Sequence, residues 1–272
     1  MRWKKADIIR YYRDNEFAYG LWGRNMHYGY WDKGIRTLRR ATQRFNEIVA
    51  STVNISAADS VLDAGCGVGG SSTFLAGTIG CRVTGITLCP RQVPMAYNNA
   101  RAQGVDHLCR FYEMNYEKTG FKAGTFDVVW GLESICYAES KERFVNEASR
   151  VLRDGGRLVV ADGFASREQY EGKDARLMRR WMDGWLVNTL DTPDAFRRYA
   201  LDAGFRETGY TNVTPRVMMT SRLMFMVSMP FIILHLIDKL IPLPPYPTDA
   251  LFNQYPALKR GLWEYGVFWA KK

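Results

Sequence analysis

The sequence predicts a doubly wound α/β fold built on a mostly parallel sheet of seven strands. Three observations carry this. Short apolar runs alternate with helix-length segments from Val61 onward, the first run ends in the glycine turn Gly65-Cys66-Gly67-Val68-Gly69-Gly70, and that turn opens directly into a helix. Strands separated by helices of this length pair in parallel and are covered on both faces. A strand, a glycine turn and a helix N-terminus together form a site for a nucleotide-like ligand.

Residues 5–50 read as helical segments around an aromatic loop, where Tyr11, Tyr12, Phe17, Tyr19, Trp22, His27, Tyr28, Tyr30 and Trp31 crowd together. Aromatic side chains bury large areas, and this segment precedes the first strand, so it is expected to fold over the site as a lid. Strands are predicted at 61–64, 82–88, 107–113, 125–130, 157–161 and 205–213. Helices are predicted at 71–79, 90–103, 139–153 and 192–203. Pro90 suits a first helical turn, and Gly155-Gly156 and Gly204 suit helix ends.

The 15 residues Leu223–Ile237 carry no charge, but a membrane span needs about 20, and Pro230 is expected to split them. A core helix, a hydrophobic cover and an interfacial segment all fit. The methionine-rich stretch Met218–Met229 suits an adaptable apolar surface. Pro242, Pro244, Pro245 and Pro247 argue against regular structure. The alternation of Gly261–Ala270 reads as a closing strand, with antiparallel pairing open to it. The expected organisation is one domain over 1–272, with a lid at 1–50, a core at 51–215, a cover at 216–260 and the closing strand at 261–272.

Composition narrows the class. At 272 residues and 47% apolar, the chain can bury one large core. Cys66, Cys81, Cys89, Cys109 and Cys136 are odd in number and form no CxxC pair, which opposes a disulfide framework or a zinc site and suits a reducing, cytoplasmic compartment. Met1 is followed by charge without an apolar run, so no signal peptide is expected. His27, His107 and His235 are scattered, and no metal site is expected. Of the net charge of +9, most sits in residues 1–50, with eleven basic against five acidic residues. Such a segment meets an anionic surface or presents a solvated helix face. The expected partner is a small hydrophobic substrate and not nucleic acid, while peripheral membrane contact and homo-oligomerisation stay open.

Gly65, Gly67 and Gly70 satisfy the dinucleotide pattern G-x-G-x-x-G. Two features oppose NAD. The second strand ends in Ile86-Thr87-Leu88 instead of an acid for the ribose, and Asp63 stands before the turn, where a carboxylate repels a pyrophosphate. It attracts the ammonium and sulfonium of S-adenosylmethionine instead.

Val61–Gly70 (VLDAGCGVGG) resembles the first motif of class I S-adenosylmethionine-dependent methyltransferases. Val83–Gln92 (VTGITLCPRQ) is similar to the second motif of a narrower group, the tocopherol and sterol methyltransferases, with cyclopropane fatty acid synthases as cousins. Tyr11-Tyr12, Trp22-Gly23 and Met26–Trp31 resemble that group's N-terminal signature. The resemblance covers roughly residues 8–215 and implies a Rossmann-like methyltransferase fold. It implies that Asp63, Gly65, Cys66 and Gly67 line the methionine and ribose of the cofactor, with Thr87, Leu88 and Gln92 on the ribose side. Asn115, beside Tyr116, stands where the family usually has Asp facing the adenine, and Leu132 lies at the lip.

An alkene acceptor would become a carbocation, which aromatic faces stabilise and a carboxylate quenches. Glu133, Tyr137, Tyr12, His27 and Tyr28 are the candidates, with Glu133 as base or cation stabiliser. The expected reaction is methyl transfer to a hydrophobic, isoprenoid-type acceptor. Alternatives are a prenyl diphosphate C-methyltransferase that uses Arg36, Arg39, Arg40, Arg176, Arg179 and Arg180, an N- or O-methyltransferase of an alkaloid or phenol, and a non-catalytic lipid- or cofactor-binding protein.

Overall fold

The structure, a computed structural model, describes residues 3–14, 25–237 and 245–272. Its strands are β1 Ser60–Ala64, β2 Arg82–Thr87, β3 Cys109–Glu113, β4 Phe126–Leu132, β5 Leu152–Ala165, β6 Glu207–Asn212 and β7 Trp263–Lys271. They form one sheet in the order β3-β2-β1-β4-β5-β7-β6. β1 to β5 pair in parallel, and β7 runs antiparallel between β5 and β6.

Side chains alternate across a strand. Val61, Val128 and Val159 therefore enter one apolar cluster, and Leu62, Val129 and Val160 enter another. β4 is buried along its whole length, as befits a central strand covered on both faces. From β1 the chain winds to β2 and β3 on one side, then crosses to β4 on the other. That reversal opens a crevice beyond the carboxyl ends of β1 and β4, where ligands bind in such sheets.

The helices are α1 Lys5–Asp14, α2 Leu38–Thr52, α3 Gly70–Phe74, α4 Gln92–Ala102, α5 Lys141–Val151, α6 Gly172–Gly184, α7 Pro193–Asp202, α8 Thr214–Ile237 and α9 Pro245–Lys259. The side chains of Thr37, Ser140 and Thr192 accept the N–H groups of Arg40, Arg143 and Ala195, each satisfying a donor that the first helical turn leaves free.

The elements depart from expectation at several places, the first being Pro90, which precedes the cap residue Arg91 instead of entering the helix. The helix expected at 71–79 is α-helical only to Phe74 and continues as a π turn over Leu75–Ile79. α5 stops at Val151 because Leu152 turns extended (ψ 137°) and pairs with Phe126. Gly155-Gly156 therefore lie within β5, where its register on β4 shifts, and do not cap the helix. α6 was not anticipated. Pro230 does not split α8, which runs through it. Pro245 and Pro247 do not forbid structure, because they occupy the first turn of α9, where no N–H is required. Phe17, Tyr19, Trp22, Pro242 and Pro244 lie outside the described residues.

Two contacts position the outer layer. A Cβ on Gly184 would sit 2.6 Å from the Ala250 nitrogen, so α6 and α9 approach as closely as they do only because this residue has no side chain. Residues 25–32 are bonded to α8. The Gly29 nitrogen and the Trp31 indole donate to the Thr220 hydroxyl at 3.1 and 2.8 Å, the Trp31 nitrogen donates to the Arg216 carbonyl, and Arg216 pairs with Asp32 at 3.1 Å.

Gly184→Ala should therefore destabilise the protein by about 1–3 kcal/mol, the usual cost of overpacking. A lower urea midpoint at an unchanged slope is the expected record.

Candidate active site

Beyond β1 and β4 lies a cavity of about 520 Å³, within the range of small-molecule and cofactor sites. Its first part is the glycine turn. Gly65 adopts φ 99°, and a Cβ there would run into Ser134. The Gly65 and Cys66 nitrogens both donate to the Ile86 carbonyl at 2.9 Å, which folds the turn back on β2. Asp63 is buried and accepts the Ser72 hydroxyl at 2.6 Å. Burial raises its carboxyl to about 6, since desolvation disfavours the charged form.

Across the turn, the Thr87 hydroxyl donates to Gln92 Oε1 at 2.6 Å and accepts the Cys89 nitrogen at 3.2 Å. Leu88, Tyr116 and Leu132 line the same part, and the Tyr116 hydroxyl donates to the Ser134 carbonyl at 2.8 Å. The expected cofactor residues thus meet in one cradle, with one exception. Asn115 does not line the cavity, and its side-chain oxygen accepts the Glu117 nitrogen at 2.9 Å to close a local turn.

The second part of the cavity is aromatic. Glu133 leaves β4 with φ 49°, a left-handed conformation that is uncommon outside glycine and concentrates at functional sites. Its nitrogen donates to the Ala161 carbonyl at 2.9 Å. One carboxylate oxygen accepts both the Tyr28 nitrogen at 2.5 Å and the Tyr265 hydroxyl at 2.6 Å. Burial outweighs these bonds and lifts the carboxyl from 4.5 to about 8. The Tyr28 hydroxyl in turn donates to Gln254 on α9 at 2.5 Å. Tyr12 and Tyr137 meet edge to face at 5.9 Å between centroids, and burial pushes the Tyr12 hydroxyl up.

His27 is buried, and burial lowers its ring to about 4, so it is neutral. Nδ1 donates to the Tyr28 carbonyl at 2.8 Å, and Nε2 has no partner among the described residues. All five expected catalytic candidates line the cavity.

Several lining residues were not anticipated. Asp162 is buried with its carboxyl pushed up by burial, and it accepts the Cys136 and Gly163 nitrogens at 2.9 and 2.8 Å. Trp181 stacks on Trp263 at 4.4 Å, and Trp185, Tyr265 and Gln254 complete the wall. The available signals are an acid following the apolar run of the fifth strand and the spacing Leu177, Met178, Trp181, Met182, Trp185, which follows a helical period. The described lining contains Asp63, Glu133 and Asp162 but no lysine or arginine. Such a lining suits a ligand with a positive centre, and the glycine turn offers the close backbone approach that a nucleoside requires.

Gly65→Ala should raise the dissociation constant for S-adenosylmethionine by about tenfold or more, the equivalent of 1.4 kcal/mol, measured by calorimetry. Glu133 adds a pH signature. Its carboxyl sits at about 8 in the fold against 4.5 ordinarily, so the folded state binds the extra proton, and the stability this gives is lost as pH rises through that window. The melting temperature of Glu133→Gln should therefore match the native protein near pH 4.5, exceed it increasingly as pH rises to about 8, and keep a constant lead above that, as scanning fluorimetry would show.

The family described as "Methyltransferase domain" matches residues 62–160. A sarcosine/dimethylglycine N-methyltransferase of Halorhodospira halochloris is 32% identical over 74% of this chain and 71% of its own. The 27-O-demethylrifamycin SV methyltransferase of Amycolatopsis mediterranei is 37% identical over 71% of each chain. The tocopherol O-methyltransferase of Arabidopsis thaliana is 31% identical over 63% of this chain and 51% of its own. The geranyl diphosphate C-methyltransferase of Streptomyces coelicolor A3(2) shares the fold, with a TM-score of 0.77 over 98% and 97% of the two chains at 22% identity. The chain therefore belongs to the class I S-adenosylmethionine-dependent methyltransferases, with S-adenosylmethionine as its cofactor.

Proposed function

We propose that this methyltransferase alkylates a carbon of an unsaturated, isoprenoid-type acceptor, and that Glu133 takes up the proton released. The carrying observation is a buried carboxylate set in an aromatic chamber next to the cofactor cradle, with no lysine or arginine among the described lining residues.

The cofactor would supply a methyl group activated by its sulfonium, the carbon–sulfur bond breaking as the new bond forms and the sulfur leaving as a neutral thioether. The chain's residues then have to orient the acceptor, exclude water and manage charge. Good orientation lowers such a barrier by roughly 7–11 kcal/mol. Asp63, Gly65, Cys66, Gly67, Thr87, Leu88, Gln92, Tyr116 and Leu132 hold the cofactor, with Asn115 fixing the backbone beside Tyr116. Residues 25–32 and the pair α8–α9 form the cover, and Trp181, Trp185, Trp263 and Tyr12 wall the acceptor. As the alkene π electrons form the new carbon–carbon bond, positive charge develops on the neighbouring carbon. The rings of Tyr28, Tyr137 and Tyr265, which line the cavity, are placed to stabilise it, and the Glu133 carboxylate removes an adjacent proton and restores the double bond.

For the diphosphate alternative, the described lining residues offer no lysine or arginine as a partner. Arg36, Arg39, Arg40, Arg176, Arg179 and Arg180 are exposed, and none lines the cavity. A second reading keeps an amine acceptor. The same acids and rings suit an ammonium, and a relative over most of the chain is named an N-methyltransferase.

Incubation with methyl-labelled S-adenosylmethionine and a panel of unsaturated terpenoids, phenols and tertiary amines, followed by product fragmentation, separates these. Label on carbon is expected, and label on nitrogen or oxygen alone would refute the proposal. Glu133→Gln should lower kcat by about 10²–10⁴-fold, the usual reach of a general base, with cofactor affinity unchanged. In the native enzyme kcat/KM should rise with pH as the carboxyl ionises near 8.

A further inference from the structure

We propose that α8 seats this enzyme on an anionic lipid surface, beside the mouth of the cavity. Docking rests on the exposed face described next, and the corollary that an acceptor enters from the lipid rests on the function proposed above.

α8 carries Arg216 and Arg222 as its only charges and no acid. Six large apolar side chains stand exposed among the described residues, and four of them, Met219, Met226, Val227 and Met229, are on this helix. At 3.6 residues per turn, Met219, Arg222, Met226 and Met229 fall within about 80° of arc. The exposed methionines therefore share one face with Arg222, itself exposed. An apolar stripe studded with arginine is the pattern of a helix lying in the headgroup plane, its guanidinium reaching the phosphates from an apolar stem. No described helix is long and apolar enough to cross a bilayer, so α8 lies on the surface instead of spanning it.

Charge favours an anionic surface over a neutral one. The chain carries +9, concentrated in the N-terminal 50 residues, which are bonded to α8 through Thr220 and Arg216. The stripe also borders the site. Val227 is 62% exposed yet lines the cavity together with Met224 one turn earlier, so apolar surface continues from the outer face into the chamber.

Flotation of the full chain, loaded with S-adenosylhomocysteine, tests this with two sets of vesicles: phosphatidylcholine alone, and phosphatidylcholine containing one third phosphatidylglycerol. The protein should float with the anionic vesicles and be released by high salt. The triple variant Met219→Glu, Met226→Glu, Met229→Glu should lose about tenfold or more of the bound fraction, with its melting temperature and S-adenosylhomocysteine affinity retained. Arg222→Glu, which keeps the three methionines and reverses the charge, should weaken binding to the anionic vesicles alone. Native protein that stays with neither vesicle, or a triple variant that floats as well as the native protein, would overturn the proposal. So would a lipid-free dimer in light scattering that the triple variant dissolves, because the face would then serve a second copy. Flotation needs no acceptor, so its outcome and that of the methyl-transfer assay are independent.

Discussion

The structure of the site depends on one carboxylate. Glu133 is held at the end of β4 in a left-handed conformation, and a single oxygen receives a backbone N–H from the N-terminal segment and a hydroxyl from β7. Those bonds draw three distant stretches of chain to one point. They also come from neutral donors, so burial is only partly compensated and the carboxyl stays high. The same arrangement that closes the chamber thus keeps its acid poised near neutrality, where a group can both hold and take a proton.

Charge selects what the chamber can hold. Three buried acids and a ring-lined wall make it hospitable to positive or uncharged centres and hostile to anions. None of the described basic residues lines it. Surface and interior therefore carry opposite signs, and an anion drawn toward the exterior is not thereby admitted to the pocket.

Much of this is legible in local sequence pattern. The strands around Val61–Ala64 and Phe126–Trp130 and the glycine turn follow from residues adjacent in sequence, and a strand end followed by an acid marks Glu133. The apolar stretch after Met218 and the aromatic N-terminal segment are visible by composition alone. Tyr265, Trp263 and Gln254 are not, because their place depends on β7 entering between β5 and β6, a pairing of residues far apart in sequence. α6 and the first turn of α9 escape for a different reason. Their signals, a helical spacing of tryptophans and prolines confined to a first turn, are present but outweighed by neighbouring glycine and proline.

The bond from Tyr28 to Gln254 joins residues 226 positions apart, and that from Glu133 to Tyr265 spans 132. Closing loops of that length carries an entropic cost that must be met before the contact stabilises anything. The cradle around Asp63, by contrast, is made of contacts between neighbouring βα units. The two halves of the site therefore differ in what they cost to close: the cradle draws mainly on contacts near in sequence, whereas the chamber around Glu133 exists only once the two ends of the chain have been brought together.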